Sequence, residues 1–154
     1  MAHYPKSTRD RVADINIGMR VDRATSLVRD KSLFRVKGGR VLLTCLHGYV
    51  TTAMHATTQN VKIQHDATNG AATDICANTA FKSLAQFTHL SISGDKTDAF
   101  NTSTSAVEAM AYPVILGVGD IKLVRGQNVD GSLSWSVWYV PLDDGASIEV
   151  VPDP

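Results

Sequence analysis

In the segment Ser132–Val140, Leu133, Trp135, Val137 and Tyr139 alternate with Ser132, Ser134 and Ser136. A period of two sends successive side chains to opposite faces of an extended chain, so the run predicts a strand with one apolar and one hydroxyl face. Nine residues at strand rise cover roughly 30 Å, enough to cross a small domain. Trp138 breaks the polar set, which puts one large aromatic on a surface or an interface. Pro141 and Asp143-Asp144-Gly145 end the run.

The same period recurs along the chain. Ile15, Ile17, Met19 and Val21 alternate with polar residues, and a turn or short helical piece is expected around Ala24–Asp30. Leu33–Lys37 reads as a strand closed by Gly38-Gly39. Val41–Leu46 is apolar at both parities, as in a strand covered on both faces, and Gly48 suggests a bulge or bend. Val61–His65 and Thr73–Cys76 flank Asn69-Gly70, a strong hairpin signal. Further strands are expected at Phe87–Ile92, Pro113–Val118, Asp120–Val124 and Ala146–Val150. Asn78–Ala85 is the one stretch that reads as a short helix, with Phe81, Leu84 and Ala85 on one face. The architecture predicted is all-β: a two-layer antiparallel β-sandwich, jelly-roll-like, with an extended N-terminal arm and at most one short helix. Residues 1–32 read as a basic arm with the first strand, and residues 33–154 as the sandwich domain.

Charge adds an asymmetry. The 154 residues carry 15 basic and 15 acidic side chains, but residues 1–40 hold ten of the basic and four of the acidic ones. A basic leading segment on an acidic body suggests an arm for an anionic partner or a self-complementary assembly; the plainer reading is a solvated, mixed-charge segment. The basic residues lack interleaved aromatics and the pI is near 7.0, so nucleic acid is not the expected partner. No apolar run approaches a membrane span, and the first residues lack the pattern of a secretory leader.

Reactive motifs are sparse. His3, His47, His55, His65 and His89 show no metal-ligand spacing and read as structural. Cys45 and His47 share a strand face, but nothing marks an oxyanion hole or an orienting third group. Cys45 and Cys76 read as buried thiols, although a bridge between them stays open. Asp143-Asp144 is explained by turn chemistry, and Gly117-Val-Gly119 precedes a strand rather than the helix a dinucleotide loop needs. With 14 Thr and 12 Ser, the exterior expected is hydroxyl-rich and suited to assembly. No cofactor and no catalytic residue is assigned.

Several stretches together resemble small virion structural proteins of tailed bacteriophages. They are Gly39-Arg-Val-Leu-Leu with Leu46-His-Gly-Tyr-Val-Thr-Thr, Asn60-Val-Lys-Ile-Gln, Asn69-Gly-Ala-Ala-Thr-Asp-Ile-Cys, Gly119-Asp-Ile-Lys-Leu and Gly131-Ser-Leu-Ser-Trp-Ser-Val-Trp-Tyr-Val-Pro-Leu-Asp-Asp-Gly-Ala. The resemblance spans roughly residues 33–150 and its motifs are structural. It implies a non-enzymatic capsid decoration, or cement, protein. Such a protein is made in the host bacterial cytoplasm and binds the capsid exterior. Its partners are the major capsid protein and sister subunits of a homo-oligomer, a dimer or trimer. The residues expected at such contacts are Arg9, Arg11, Arg20, Arg23, Tyr49 and Trp138. The alternative is a tail fibre or baseplate adhesion module that binds host carbohydrate, with Trp138 and Tyr49 as the aromatic candidates. Deleting residues 2–14 should lower capsid occupancy, measured on reconstituted particles; unchanged occupancy removes the arm from the reading.

Overall fold

A computed structural model describes residues 18–26, 30–54, 59–125 and 130–153. Among these residues the regular elements are all strands: β1 (Met19–Ser26), β2 (Lys31–Lys37), β3 (Val41–Thr52), β4 (Gln59–Ala67), β5 (Thr73–Asp74), β6 (Thr79–Phe81), β7 (His89–Ser91), β8 (Asn101–Ser103), β9 (Val114–Leu116), β10 (Gly119–Arg125), β11 (Ser132–Pro141) and β12 (Ser147–Val150). They form two antiparallel sheets. Sheet A runs β1-β11-β3-β7-β8, with β9 also pairing β3; sheet B runs β12-β2-β10-β4-β5, with β6 also pairing β4.

The pairings describe one long ribbon folded back on itself. The first strand meets the eleventh, the second meets the tenth, the third meets the seventh and ninth, and the fourth meets the fifth and sixth. Wound into two layers, the ribbon brings β11 against β3 and β10 against β4. That winding is a jelly roll, in which each half of the ribbon crosses alternately between sheets.

The core lies where the two inner faces meet. Leu133, Trp135, Val137 and Tyr139 of β11 are all buried, as their period predicts. From sheet B they face Phe34, Val36, Ile63, Ile121 and Leu123, all fully or nearly fully buried. Trp135 is the largest fully buried side chain, and its β3 register partner is Gly48. A Cβ there would lie 2.8 Å from the indole ring. Gly48 therefore makes room for the indole; the bulge expected at that position lies elsewhere.

The register between β3 and β11 shifts between Trp138↔Cys45 and Tyr139↔Leu43. Thr44 is the extra residue, and its hydroxyl donates to the Trp138 carbonyl at 3.0 Å. Before the bulge the inward residues are Val41 and Leu43; after it, Leu46 and Val50. The continuous apolar run thus records a switch of parity rather than burial of both faces. β2 behaves alike: a register shift against β10 buries both Leu33 and Phe34.

Three expectations are corrected. Asn78–Ala85 contains strand β6, not a helix, because β5 leaves the Gln59–Val61 edge of β4 open and β6 pairs with it. Phe81 is thereby buried beside Phe100, with ring centroids 5.3 Å apart. The turn or helical piece around Ala24–Asp30 gives way, as far as Ser26, to a continuation of β1 along β11. The boundary drawn after residue 32 falls inside β2, and β1 is a full member of sheet A. Residues 1–14 of the expected arm, and Ile15 and Ile17 of the expected first strand, lie outside the described residues.

The turn at Asp143 shows how the ends are pinned. Its carboxylate accepts from the Arg40 backbone N–H at 2.7 Å and from the guanidinium at 2.7 and 2.9 Å. Those bonds pull the Asp143 carboxyl down to about 2. Cys45 and Cys76 are both free thiols, Cys76 in the core and Cys45 on the outer side of sheet A.

Gly48→Ala should destabilise the fold by about 1–3 kcal/mol, since a fixed indole has nowhere to move. A urea midpoint unchanged from the parent chain would contradict the packing described.

Candidate functional site

The two outer faces are built differently. On sheet B the outward residues pair among themselves: Lys37 with Glu149 at 2.5 Å, Arg35 with Asp120 at 2.7 Å, Lys62 with Asp74 at 2.8 Å, and Lys122 with Asp66. Arg35 holds Asp120 through two bonds, which keeps that carboxyl below its ordinary value. A shallow open depression lined by Arg35, Asp66, Thr68 and Asp120 lies on this face. Arg35 neutralises Asp120 there and Lys122, beside the depression, neutralises Asp66, so it offers little net field to a ligand.

Sheet A presents aromatic, imidazole and aliphatic groups instead. Strand register sets the rows: Arg20, Trp138 and Cys45 in one; Asp22, Ser136, His47 and Ser91 in the next; Tyr49 and His89 beyond. At the other end of β3, Val140, Leu42 and Ile115 stand side by side, and Ile115 is 63% exposed. From Leu42 to Tyr49 this stripe runs roughly 23 Å at strand rise.

Three of the expected contact residues meet here. The Arg20 guanidinium lies 5.2 Å from the centre of the Trp138 ring, in cation–π range. Its Nε donates to Asp22 at 2.7 Å. Ser136 donates to the same Asp22 oxygen at 2.5 Å, and these two donors hold the Asp22 carboxyl below its ordinary value. Tyr49 makes tilted ring contacts with His89, centroids 5.0 Å apart, and with Phe87, 6.2 Å apart.

Phe87 adds something the sequence did not mark. It has φ of 72°, a left-handed conformation that is costly for a bulky residue. Backbone bonds hold it there: Phe87 N–H donates to Val50 O at 2.8 Å, and Val50 N–H to Thr88 O at 2.9 Å. The result is an aromatic ring 56% exposed at the end of the stripe.

The other candidates separate. Arg23 faces inward and is 6% exposed. It donates to the carbonyls of Ser32 and Leu33, the latter at 2.9 Å, and to Asp153 at 2.6 Å. It therefore ties β1 of sheet A to β2 of sheet B and to the chain's last residues, and is not on a contact surface. Arg9 and Arg11 lie outside the described residues.

The histidines divide in a way that spacing cannot show. His65 is inward and bonds the Gly117 carbonyl at 3.0 Å, a structural role. His47 converges not with His65 but with His89, forty-two residues away: Nε2 of His47 is 2.9 Å from Nδ1 of His89. The β3–β7 register brings the two rings onto one face, and no local motif could have flagged it.

The nucleophile candidates on this face are held by other groups or shifted by burial. The Ser136 hydroxyl donates to the Asp22 carboxylate, and among the described residues no hydrogen bond joins it to its register partner His47. Burial pushes the Cys45 thiol up, only partly offset by a Met110 backbone hydrogen bond, and burial pushes Cys76 up to about 11. Thiols shifted in that direction are poorer nucleophiles at neutral pH. Among the described residues no cluster of three or more His, Cys, Asp or Glu is placed to hold a metal ion. No protein-family model, no curated protein and no solved structure matches the chain.

Burial, then the neighbouring His89 and Arg20, hold the His47 imidazole below its ordinary value. The unfolded chain takes up that proton near pH 6.5 while the folded chain resists it. The stability His47 contributes is thus complete above about pH 6.5 and is lost as the pH falls through that value towards the folded pKa. His47→Gln should flatten this dependence, read from melting temperatures at pH 7.5 and 5.5; an identical pH slope in the variant would contradict the assignment.

Proposed function

We propose that the protein is a non-enzymatic virion structural subunit, a capsid decoration protein that grips the outer surface of a tailed-phage head through the exposed face of sheet A. The observation that carries this reading is the contrast between the two faces. Sheet B spends its charges on its own ion pairs. Sheet A leaves Phe87, Ile115 and, in part, Tyr49 and Trp138 open to solvent along one stripe. Exposed aromatics and aliphatics in line are the composition of a protein contact, whose centre is apolar and whose rim is polar. The resemblance of residues 33–150 to small phage virion proteins supplies the identity of the surface gripped: the major capsid protein.

The role fits the physics of a shell. A cement subunit adds contact area across capsomer boundaries, and many modest sites on a symmetric particle combine through avidity. Sister subunits are the second partner, through the basic N-terminal segment and the acidic remainder of the chain. The adhesion alternative is disfavoured by Trp138, whose ring already carries the Arg20 guanidinium and so offers less of its face to a sugar.

Purified protein added to expanded heads that lack it should fill them, and Ile115→Asp and Phe87→Asp should each reduce occupancy at least tenfold, measured by quantitative mass spectrometry of sedimented particles. Lys62→Ala, on sheet B, should bind as the parent chain does. Failure of the parent chain to bind heads, or label on the C-terminus appearing at the tail, would overturn the reading.

A further inference from the structure

We propose that His47 and His89 form a binding site for a divalent transition-metal ion, zinc or copper by class, with the two imidazoles as its protein ligands. Both residues sit on paired strands, so their backbones are fixed before any ion arrives. Tyr49 packs against the His89 ring at 5.0 Å and limits the directions it can take. The two nitrogens face each other at 2.9 Å.

Distance selects the coordination. Imidazole–zinc bonds of about 2.0–2.1 Å at a tetrahedral angle put an ion about 3.2 Å from each ring centre, and the two centres about 5.2 Å apart. The observed separation of the centres is 5.2 Å. The hydrogen-bonded pair and the chelate therefore share ring positions. They differ by a swing of each ring in place, which opens the nitrogen separation to about 3.4 Å. The ion displaces the one proton shared between the rings, which moves to the far nitrogen of the ring that donated it; the other ring already carries its proton on its far nitrogen.

The row around the pair supports that exchange. Ser91 is the register partner of His47 on β7, and its hydroxyl is buried with no hydrogen-bond partner among the described residues. Register partners have Cβ atoms about 4.5–5.5 Å apart, so this hydroxyl is within reach as an acceptor for the other ring N–H, the kind of bond that fixes a ligating imidazole. The charged and titratable groups facing the pair are Arg20 and Asp22 from β1, Cys45 and Tyr49 from β3, and the hydroxyls of Ser136 from β11 and Ser91 from β7. Arg20, which disfavours positive charge on His47, is bonded to Asp22, whose carboxylate offsets part of that charge. Water completes the sphere, as two protein ligands leave two tetrahedral positions open. Imidazole ligands suit zinc, copper and nickel, with copper the tightest.

The experiment is zinc titration of the full chain by calorimetry at pH 7.5, with His3 and His55 replaced by Ala so that they cannot contribute. One ion per chain is expected, with affinity at least tenfold lower in His47→Gln and in His89→Gln. Histidine-selective nitrogen NMR on the chain retaining both residues should show zinc-dependent shifts of His47 Nε2 and His89 Nδ1. Zinc binding that survives both substitutions, or nitrogens that do not shift at saturating zinc, would overturn the proposal; the NMR result decides even where a variant fails to fold.

Discussion

The pairing of β11 with β3 and β1 is the constraint on which the molecule rests. β11 runs between them in sheet A, with β3 on one side and β1 on the other. Its inner residues supply the centre of the core, and its indole fits only because β3 carries no side chain at Gly48. Everything else in sheet A is placed relative to this seam. The same strand that buries Trp135 turns Trp138, Ser136 and Ser134 outward, so core and exterior are two readings of one period.

That coupling explains how the two faces came to differ. Sheet B uses long charged side chains whose partners lie on adjacent strands, and each pair is satisfied inside the molecule. Individually such exposed pairs stabilise little. Their effect is rather to leave that face without unmet demands. Sheet A uses short hydroxyls, imidazoles and aromatics, which satisfy one another incompletely and leave apolar area in water. The asymmetry resides in side-chain type and needs no difference in backbone architecture.

Much of the fold was legible because burial and periodicity coincide in most strands. The inward set of β11, the hairpin at Asn69-Gly70 and the alternation of β10 could be read directly. The failures share a cause. Thr44 interrupts the period with a bulge, so β3 looks apolar on both sides although it has one buried face at a time. At 78–85 the local pattern favours a helix, and a vacant edge of β4 outweighs it. The face of sheet A was legible in part: Trp138 as an aromatic on a polar face, Tyr49 and Arg20 as contact residues. Arg23 was misjudged because a charged residue on an edge strand looks exposed until the opposite sheet and the tail close over it. The His47–His89 pair was invisible because it is made by register between distant strands.

Arg23 also has a bearing on the order in which the molecule comes into being. Its guanidinium reaches Asp153, and its strand zips along Ser132–Tyr139, more than a hundred positions downstream. During synthesis β1 leaves the ribosome before its partner strand, and its edge stays bare until Ser132–Tyr139 has followed. Pairing of β1 into sheet A is therefore late. A nascent chain of this topology is open to sticking to its neighbours until β11 is translated.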